Sequence, residues 1–115
     1  MKRLYVCGSF KFLREIEELE RKLKEESIEY ETSKKMNNRG ILGCLEKVAD
    51  ADVVYVVNPR GYVGKSVSFD LGYAYAKNKS IYVMNRVNDP PIMNLTSGVL
   101  SPKALIELLT ESSPE

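Results

Sequence analysis

The stretch that most constrains the fold is residues 50–76, which has the pattern of a strand, a glycine-containing loop and a helix. Val53 to Val57 form a short, continuous apolar run rich in β-branched residues, which is typical of a strand buried on both faces of a parallel sheet. Asn58 to Gly61 interrupt this run, and apolar residues at helical spacing follow from Val67 to Tyr75. Because such a unit presents free backbone N–H groups at the end of a strand, it predicts an anion-binding site.

The start of this helix offers one ionisable group, the carboxylate of Asp70. Ser66 is predicted to cap the helix, because its hydroxyl can accept a hydrogen bond from a free backbone N–H of the first turn. Asp70 would then lie in or near the first turn, where the helix dipole favours the charged carboxylate. Two interpretations follow: the carboxylate stabilises its own helix, or it is a nucleophile at the anomeric carbon of a sugar, which requires an ionised group.

Further apolar runs predict the remaining elements. Strands are predicted at Leu4–Cys7, Ile28–Glu31 and Ser80–Asn85, with a short fifth strand near Ile92–Leu95 or Val99–Leu100. Helices are predicted up to residue 26, over residues 40–49 and after the Ser101-Pro102 pair. This alternation predicts a doubly wound α/β fold, a flavodoxin-like three-layer sandwich with a mainly parallel sheet of four or five strands in the order 2-1-3-4, the fifth at the edge. One domain over residues 1–111 and a frayed tail over 112–115 are expected.

The strand order predicts where a ligand binds. The chain reverses direction between the first and third strands, and ligands of open α/β sheets bind at such a switch point, outside the carboxyl ends of the strands. The loops at Cys7–Phe10 and Asn58–Ser66 follow these two strands. We therefore expect the two loops to face each other across one crevice.

Composition excludes several kinds of chemistry and partner. The 115-residue chain has no histidine, which removes serine–histidine and cysteine–histidine catalysis and the commonest metal ligand. A net charge of +1 argues against nucleic acid as a partner, and no apolar run is long enough to span a membrane. Cys7 and Cys44 lack metal-ligand spacing and are expected to be reduced core residues. The N-terminus enters a strand directly, so the sequence predicts no targeting peptide and a cytoplasmic location. It also predicts no metal and no cofactor.

The loop after the central strand also permits a second interpretation, a P-loop. Pro59 to Ser66 nearly match the G-x-x-x-x-G-K-S/T pattern and lie between a predicted strand and a predicted helix. Proline stands where the first glycine belongs, and proline fixes φ and has no N–H to offer a phosphate. No later strand ends in a convincing magnesium-binding aspartate. The sequence therefore disfavours a nucleoside triphosphate binder of this type.

Part of the predicted helix resembles a known signature. Residues 69–74, F-D-L-G-Y-A, are similar to the E-L/I-G-Y/R-A motif of the nucleoside 2-deoxyribosyltransferase superfamily, which includes the deoxynucleoside 5′-monophosphate N-glycosidases. The resemblance extends to the Cys7-Gly8-Ser9 loop, to the D-x-V-x-V pattern from Asp52 to Val56 and to residues 78–83. The G-Y-V-G-x-S form of residues 61–66 resembles a poorly characterised branch of the superfamily.

This resemblance implies a function and a set of site residues. Asp70 takes the position of the superfamily's nucleophilic glutamate, although its side chain is one methylene, about 1.5 Å, shorter. Tyr62 could stack on a base or serve no specific role, and Lys65 could pair with a phosphate or be solvated. The resemblance also implies a homodimer or larger homo-oligomer. The candidate substrate-binding residues are Gly8, Ser9, Phe10, Asn58, Gly61, Tyr62, Gly64, Lys65 and Ser66.

Two functions from different classes stay open from the sequence. The first is an enzyme that cleaves an N-glycosidic bond, or transfers a deoxyribosyl group, in a small-molecule nucleoside or nucleotide, with Asp70 as the nucleophile. The second is a catalytically silent module that binds or senses a nucleotide. The shortened carboxylate and the lack of histidine favour the second function, whereas the resemblance around Asp70 favours the first.

Overall fold

A computed structural model describes residues 2–33 and 40–111, which form a five-stranded sheet with helices on both faces. The strands are β1 (Leu4–Cys7), β2 (Tyr30–Thr32), β3 (Val53–Val56), β4 (Ser80–Val83) and β5 (Gly98–Val99). The helices are α1 (Leu13–Glu25), α2 (Ile41–Asp50), α3 (Lys65–Ala76), α4 (Pro90–Met93) and α5 (Pro102–Glu111), and short 3-10 turns span Phe10–Phe12 and Pro59–Gly61. The predicted tail at 112–115 lies outside the described residues.

The order of the strands is β2-β1-β3-β4-β5, and every neighbouring pair is parallel. The predicted fold class and strand order are therefore confirmed. The fifth strand lies at Gly98–Val99, beside one of the two positions predicted for it. The other prediction, a strand at Ile92–Leu95, is wrong. Asp89 caps α4 there by accepting a hydrogen bond from the Ile92 N–H at 3.4 Å, and Pro90 begins the helix.

Strand β2 begins two residues later than predicted, because the chain first closes the end of α1. Ser27 adopts a positive φ of 57°, and the N–H of Ile28 donates to the carbonyl of Leu23 at 2.9 Å. Such a bond satisfies a carbonyl that the last helical turn leaves open. The buried Ile28 side chain therefore covers the end of the helix instead of starting the strand.

The two faces of the sheet carry separate hydrophobic cores. Tyr5 and Val54 belong to the core beneath α2 and α3, whereas Val6 and Tyr55 belong to the core beneath α1 and α5. Neighbouring residues of β1 and β3 thus point to opposite faces, as the pleat of a strand requires. All residues of both strands are buried, which confirms the prediction made from their continuous apolar runs.

Helix α3 starts earlier than predicted. It begins at Lys65, and its N-cap is Gly64, an extended residue at φ −84° and ψ −179°, so the prediction of Ser66 as the cap is wrong. Glycine is an accepted N-cap residue although it has no side chain, and no side chain among the described residues caps this end of the helix. Asp70 consequently lies in the second turn, and the helix dipole, which acts mainly in the first turn, contributes less there than expected.

The register of the central strands places the two site loops side by side. Cys7 pairs with Val56 at the ends of β1 and β3, and the N–H of Val57 donates to the carbonyl of Cys7 at 2.8 Å. The loops that follow both strands therefore leave the sheet at the same level. Among the helices of residues 2–33 and 40–111, none has the length and apolar composition to cross a membrane.

Candidate active site

A cavity of about 460 Å³ lies at the switch point between β1 and β3, in the size range of small-molecule sites. Its lining residues come from the loops after β1 and β3, from the residue after β2, from α2 and from the first half of α3. They are Gly8, Ser9, Phe10, Ser33, Cys44, Tyr62, Gly64, Lys65, Ser66, Val67 and Asp70. The structure therefore brings together all but two of the residues that the sequence singled out.

Close approach of the two loops depends on Gly8. A Cβ atom built at Gly8 would lie 2.7 Å from the carbonyl oxygen of Val57 and 3.3 Å from Cδ1 of Ile16. A backbone oxygen cannot move aside without disturbing the end of β3. Gly8 therefore narrows the gap between the loops and makes one wall of the cavity.

The two predicted residues that do not line the cavity are Asn58 and Gly61. Asn58 is fully buried, and its Nδ2 donates to the carbonyl of Asn85 at 2.7 Å while its Oδ1 accepts from the Asn85 N–H at 2.9 Å. Gly61 has a φ of +81°, and a Cβ there would clash with the carbonyl oxygen of Arg86. Both residues fix the path of the loop against the segment after β4, so they support the site from outside the cavity.

The carboxylate of Asp70 is the most heavily buried charged group of the site. Asp70 is only 3% exposed, and its Oδ2 accepts a hydrogen bond of 3.2 Å from the hydroxyl of Tyr5 on β1. Among the described residues, its Oδ1 has no hydrogen-bond partner. One carboxylate oxygen is thus held by the sheet, while the other is buried without a described hydrogen-bond donor.

Burial raises the pKa of Asp70 from 3.8 to about 6, and the hydrogen bond from Tyr5 opposes this rise. With a pKa near 6, the carboxyl group is mainly ionised at neutral pH. Burial also raises the pKa of Tyr5 far above its usual value, with smaller contributions from Cys7 and Asp70. The phenol therefore keeps its proton, and Tyr5 stays a hydrogen-bond donor to Asp70.

The mouth of the cavity is formed by aromatic and cationic side chains of both loops. Tyr62 is 41% exposed, its ring packs edge-on against Phe12 with centroids 5.9 Å apart, and the Nζ of Lys11 lies 4.0 Å from its ring centroid. Lys65 and Ser66, in the uncapped first turn of α3, are exposed at the rim. Free amides of a helix start beside a lysine favour an anionic group of a ligand.

The sequence did not indicate Tyr5, Ser33 or Val67 as parts of the site. Tyr5 could have been recognised, because it places a hydroxyl in an otherwise apolar buried strand and a buried hydroxyl needs a hydrogen-bond partner. Ser33 could not, since a serine after an edge strand is ordinary. Cys44, predicted as a core residue, is buried but also lines the cavity, and it and Cys7 are free thiols. In the described part of the chain, no three acidic or cysteine side chains are grouped to hold a metal.

The fold and the cavity define a doubly wound, flavodoxin-like α/β protein with its cleft at the switch point. No protein-family profile matches the sequence, and no curated protein sequence matches it significantly. Solved structures do match its fold. A conserved protein from Enterococcus faecalis V583 aligns with a TM-score of 0.72 at 16% identity, over 98% of this chain and 99% of the other. The CMP N-glycosidase BcmB from Clostridium botulinum aligns with a TM-score of 0.64 at 14% identity, over 97% and 100%.

Proposed function

We propose that this protein cleaves the N-glycosidic bond of a small-molecule nucleoside or nucleotide, with Asp70 as the nucleophile. The observation that carries the proposal is the Asp70 carboxylate, which lines the switch-point cavity with Oδ2 bound by Tyr5 and with no described partner on Oδ1. A buried acceptor without a donor is costly, so its persistence at a cavity favours a functional role.

The chemistry follows from this arrangement. Oδ1 of Asp70 attacks the anomeric carbon while the bond to the base breaks, and the base departs with the bonding electrons and takes a proton from solvent, which the attacking water or second base gives back in the next step. The transition state resembles an oxocarbenium ion, which a nearby carboxylate stabilises. An ester between the sugar and Asp70 results. Water then attacks the anomeric carbon and restores the carboxylate in a hydrolase, whereas a second base does so in a transferase.

Two further observations support a phosphorylated substrate. The first turn of α3 is uncapped by the described side chains and carries Lys65 and Ser66 at the cavity rim, which suits a 5′-phosphate. The Clostridium botulinum neighbour, which shares the fold, is a CMP N-glycosidase by name. We therefore infer that a nucleoside 5′-monophosphate is preferred over the nucleoside.

A catalytically silent nucleotide-binding module is the second candidate, and one observation favours it. The Asp70 side chain is short and 3% exposed, so an anomeric carbon has to enter deeply to reach Oδ1. A misplacement of about 1 Å costs on the order of 100-fold in rate. Binding would then survive where bond cleavage does not.

A paired assay distinguishes the two candidates. The wild type, Asp70→Asn and a surface control, Asp50→Asn, are incubated with nucleosides and nucleoside 5′-monophosphates of both ribose and deoxyribose. Chromatography measures the released base, and thermal shift measures binding. We expect base release by the wild type and by Asp50→Asn, none by Asp70→Asn, and binding by all three proteins. Binding without base release by any protein would support the silent module, and absence of both would refute a nucleotide site.

A further inference from the structure

A second residue of the same cavity, Ser33, carries a buried polar atom that has no role in the chemistry described above. Ser33 follows β2, and its Oγ is buried without a hydrogen-bond partner among the described residues. A hydroxyl can both donate and accept, and leaving it unpaired away from water costs free energy. This hydroxyl is therefore available to a polar group of a ligand.

The backbone around Ser33 is held firmly. Its N–H donates to the carbonyl of Val6 on β1 at 3.0 Å, and the preceding carbonyl, that of Thr32, accepts a hydrogen bond of 2.9 Å from Nζ of Lys47 on α2. Both bonds tie the end of β2 to its neighbours. The backbone that carries the Ser33 side chain is consequently fixed by the fold, and a fixed backbone is a condition for a side chain that discriminates between ligands.

The strand order places three features of the cavity in sequence along the edge of the sheet. The start of α3 follows β3, the Asp70 carboxylate contacts Tyr5 of β1, and Ser33 follows β2. Since β1 lies between β3 and β2, Asp70 lies between the other two features. Neighbouring strands are about 4.8 Å apart, so Ser33 is roughly 10 Å from the side on which α3 starts.

This layout matches the parts of a nucleotide. With the phosphate at the start of α3 and the anomeric carbon at Asp70, the base is left for the side of the cavity next to β2. Phe10, which is 57% exposed, and Cys44 line the cavity together with Ser33 and offer apolar surface to a flat ring. Within that surface, Ser33 Oγ supplies a hydrogen-bonding group.

We propose that Ser33 hydrogen-bonds the polar edge of the nucleobase and so determines which base the site prefers. This inference rests on the proposed function, and it assigns Ser33 a specificity role that the bond-breaking step does not require. A hydrophobic pocket discriminates weakly between bases of similar shape, whereas a buried hydrogen-bonding group rejects a base that leaves it unpaired.

The test compares Ser33→Ala with Ser33→Thr, which keeps a hydroxyl, and with Ser66→Ala, which removes a hydroxyl from the phosphate side of the cavity. The specificity constant kcat/KM is measured for the 5′-monophosphates of cytidine, uridine, adenosine and guanosine. We expect Ser33→Ala to lower kcat/KM for the preferred base by about 3- to 10-fold and for the poorest base by less than about twofold. Ser33→Thr should keep the preference, and Ser66→Ala should affect all four nucleotides alike.

Two companion measurements separate this role from a structural one. Unfolding by urea, without ligand, should show Ser33→Ala to be at least as stable as the wild type, because the substitution removes an unpaired hydroxyl. Calorimetry with the Asp70→Asn protein, with and without Ser33→Ala, should show the same loss of base preference in binding alone. An equal fall for all bases, an unchanged preference or a loss of stability would each overturn the inference. If Asp70-dependent base release persists in those cases, the proposed function stands; if the wild type neither releases base nor binds nucleotide, both fail.

Discussion

The burial of Asp70 makes a quantitative prediction about stability. Its pKa is about 6 in the folded protein against an ordinary 3.8, so the folded state holds the proton more tightly than the unfolded chain does. The protonated Asp70 carboxyl therefore makes its full contribution to the free energy of unfolding below about pH 4, and that contribution is lost as the pH rises through about 6. The pKa difference corresponds to about 3 kcal/mol of lost stability at neutral pH and above. Asp70→Asn keeps the shape and an acceptor for Tyr5, but removes the charge.

The assay is urea unfolding of the wild type and Asp70→Asn across this pH range. We expect the variant to gain stability over the wild type by about 1 kcal/mol between about pH 5 and pH 7, and little more above pH 7. Asp50→Asn, which removes a carboxylate from an exposed position, is the matched control. The increase in the free energy of unfolding has to be larger for Asp70→Asn than for Asp50→Asn. A stability difference between Asp70→Asn and wild type that stays constant across this range would refute the reasoning, because the folded protein would then not disfavour the ionised carboxylate.

Four further predictions concern the ionisation of Asp70 and the contacts of Tyr5, Gly8 and Asn58. Base release by the wild type should fall as the pH drops through about 6, since a protonated Asp70 is not a nucleophile; a pH–rate profile checks this. Tyr5→Phe should move that acidic limb to higher pH, because the hydrogen bond that lowers the carboxyl pKa is lost, whereas Tyr55→Phe, which removes a buried hydroxyl on the other face of the sheet, should leave the limb in place. Gly8→Ala should destabilise the fold by about 1–3 kcal/mol through overpacking, and unchanged urea unfolding would contradict this. Asn58→Ala should lower the free energy of unfolding by about 2 kcal/mol, since the N–H and the carbonyl of Asn85 both lose their partner on the buried Asn58 side chain, and a loss below about 1 kcal/mol would argue against that role.

Much of the architecture could be predicted because it depends on local patterns and simple topology. Apolar runs such as Val53–Val57 mark buried strands, and the rule of right-handed crossovers orders them. Boundaries were predicted less well wherever a cap decided them. Gly64 caps the start of α3 without a side chain, and Ser27 helps to terminate α1 by adopting a positive φ, which serine seldom does.

The cavity residues named from the sequence lie in the two loops after β1 and β3 and in the first half of α3, whereas its contacts from β1 and from the residue after β2 were missed. The hydrogen bond between Tyr5 and Asp70 joins residues that are 65 positions apart, and no local pattern announces such a contact. For Asn58, the resemblance implied a substrate contact, whereas in the structure its amide connects the end of β3 to the segment after β4 and does not line the cavity. In both cases the contact joins residues that are far apart in the sequence, and the spacing of residues along the chain does not predict such contacts.

The contact between Gly8 and the Val57 carbonyl divides the cavity wall into a part that can vary and a part that cannot. Any side chain at Gly8 would push the two loops apart, so substitutions at Gly8 cannot be used to adjust the distance between these loops. Phe10, Tyr62 and Lys65 line the cavity and are exposed, so substitutions there should cost less folding free energy than one at Gly8. A library that seeks new substrates should therefore keep Gly8 fixed and diversify those three positions.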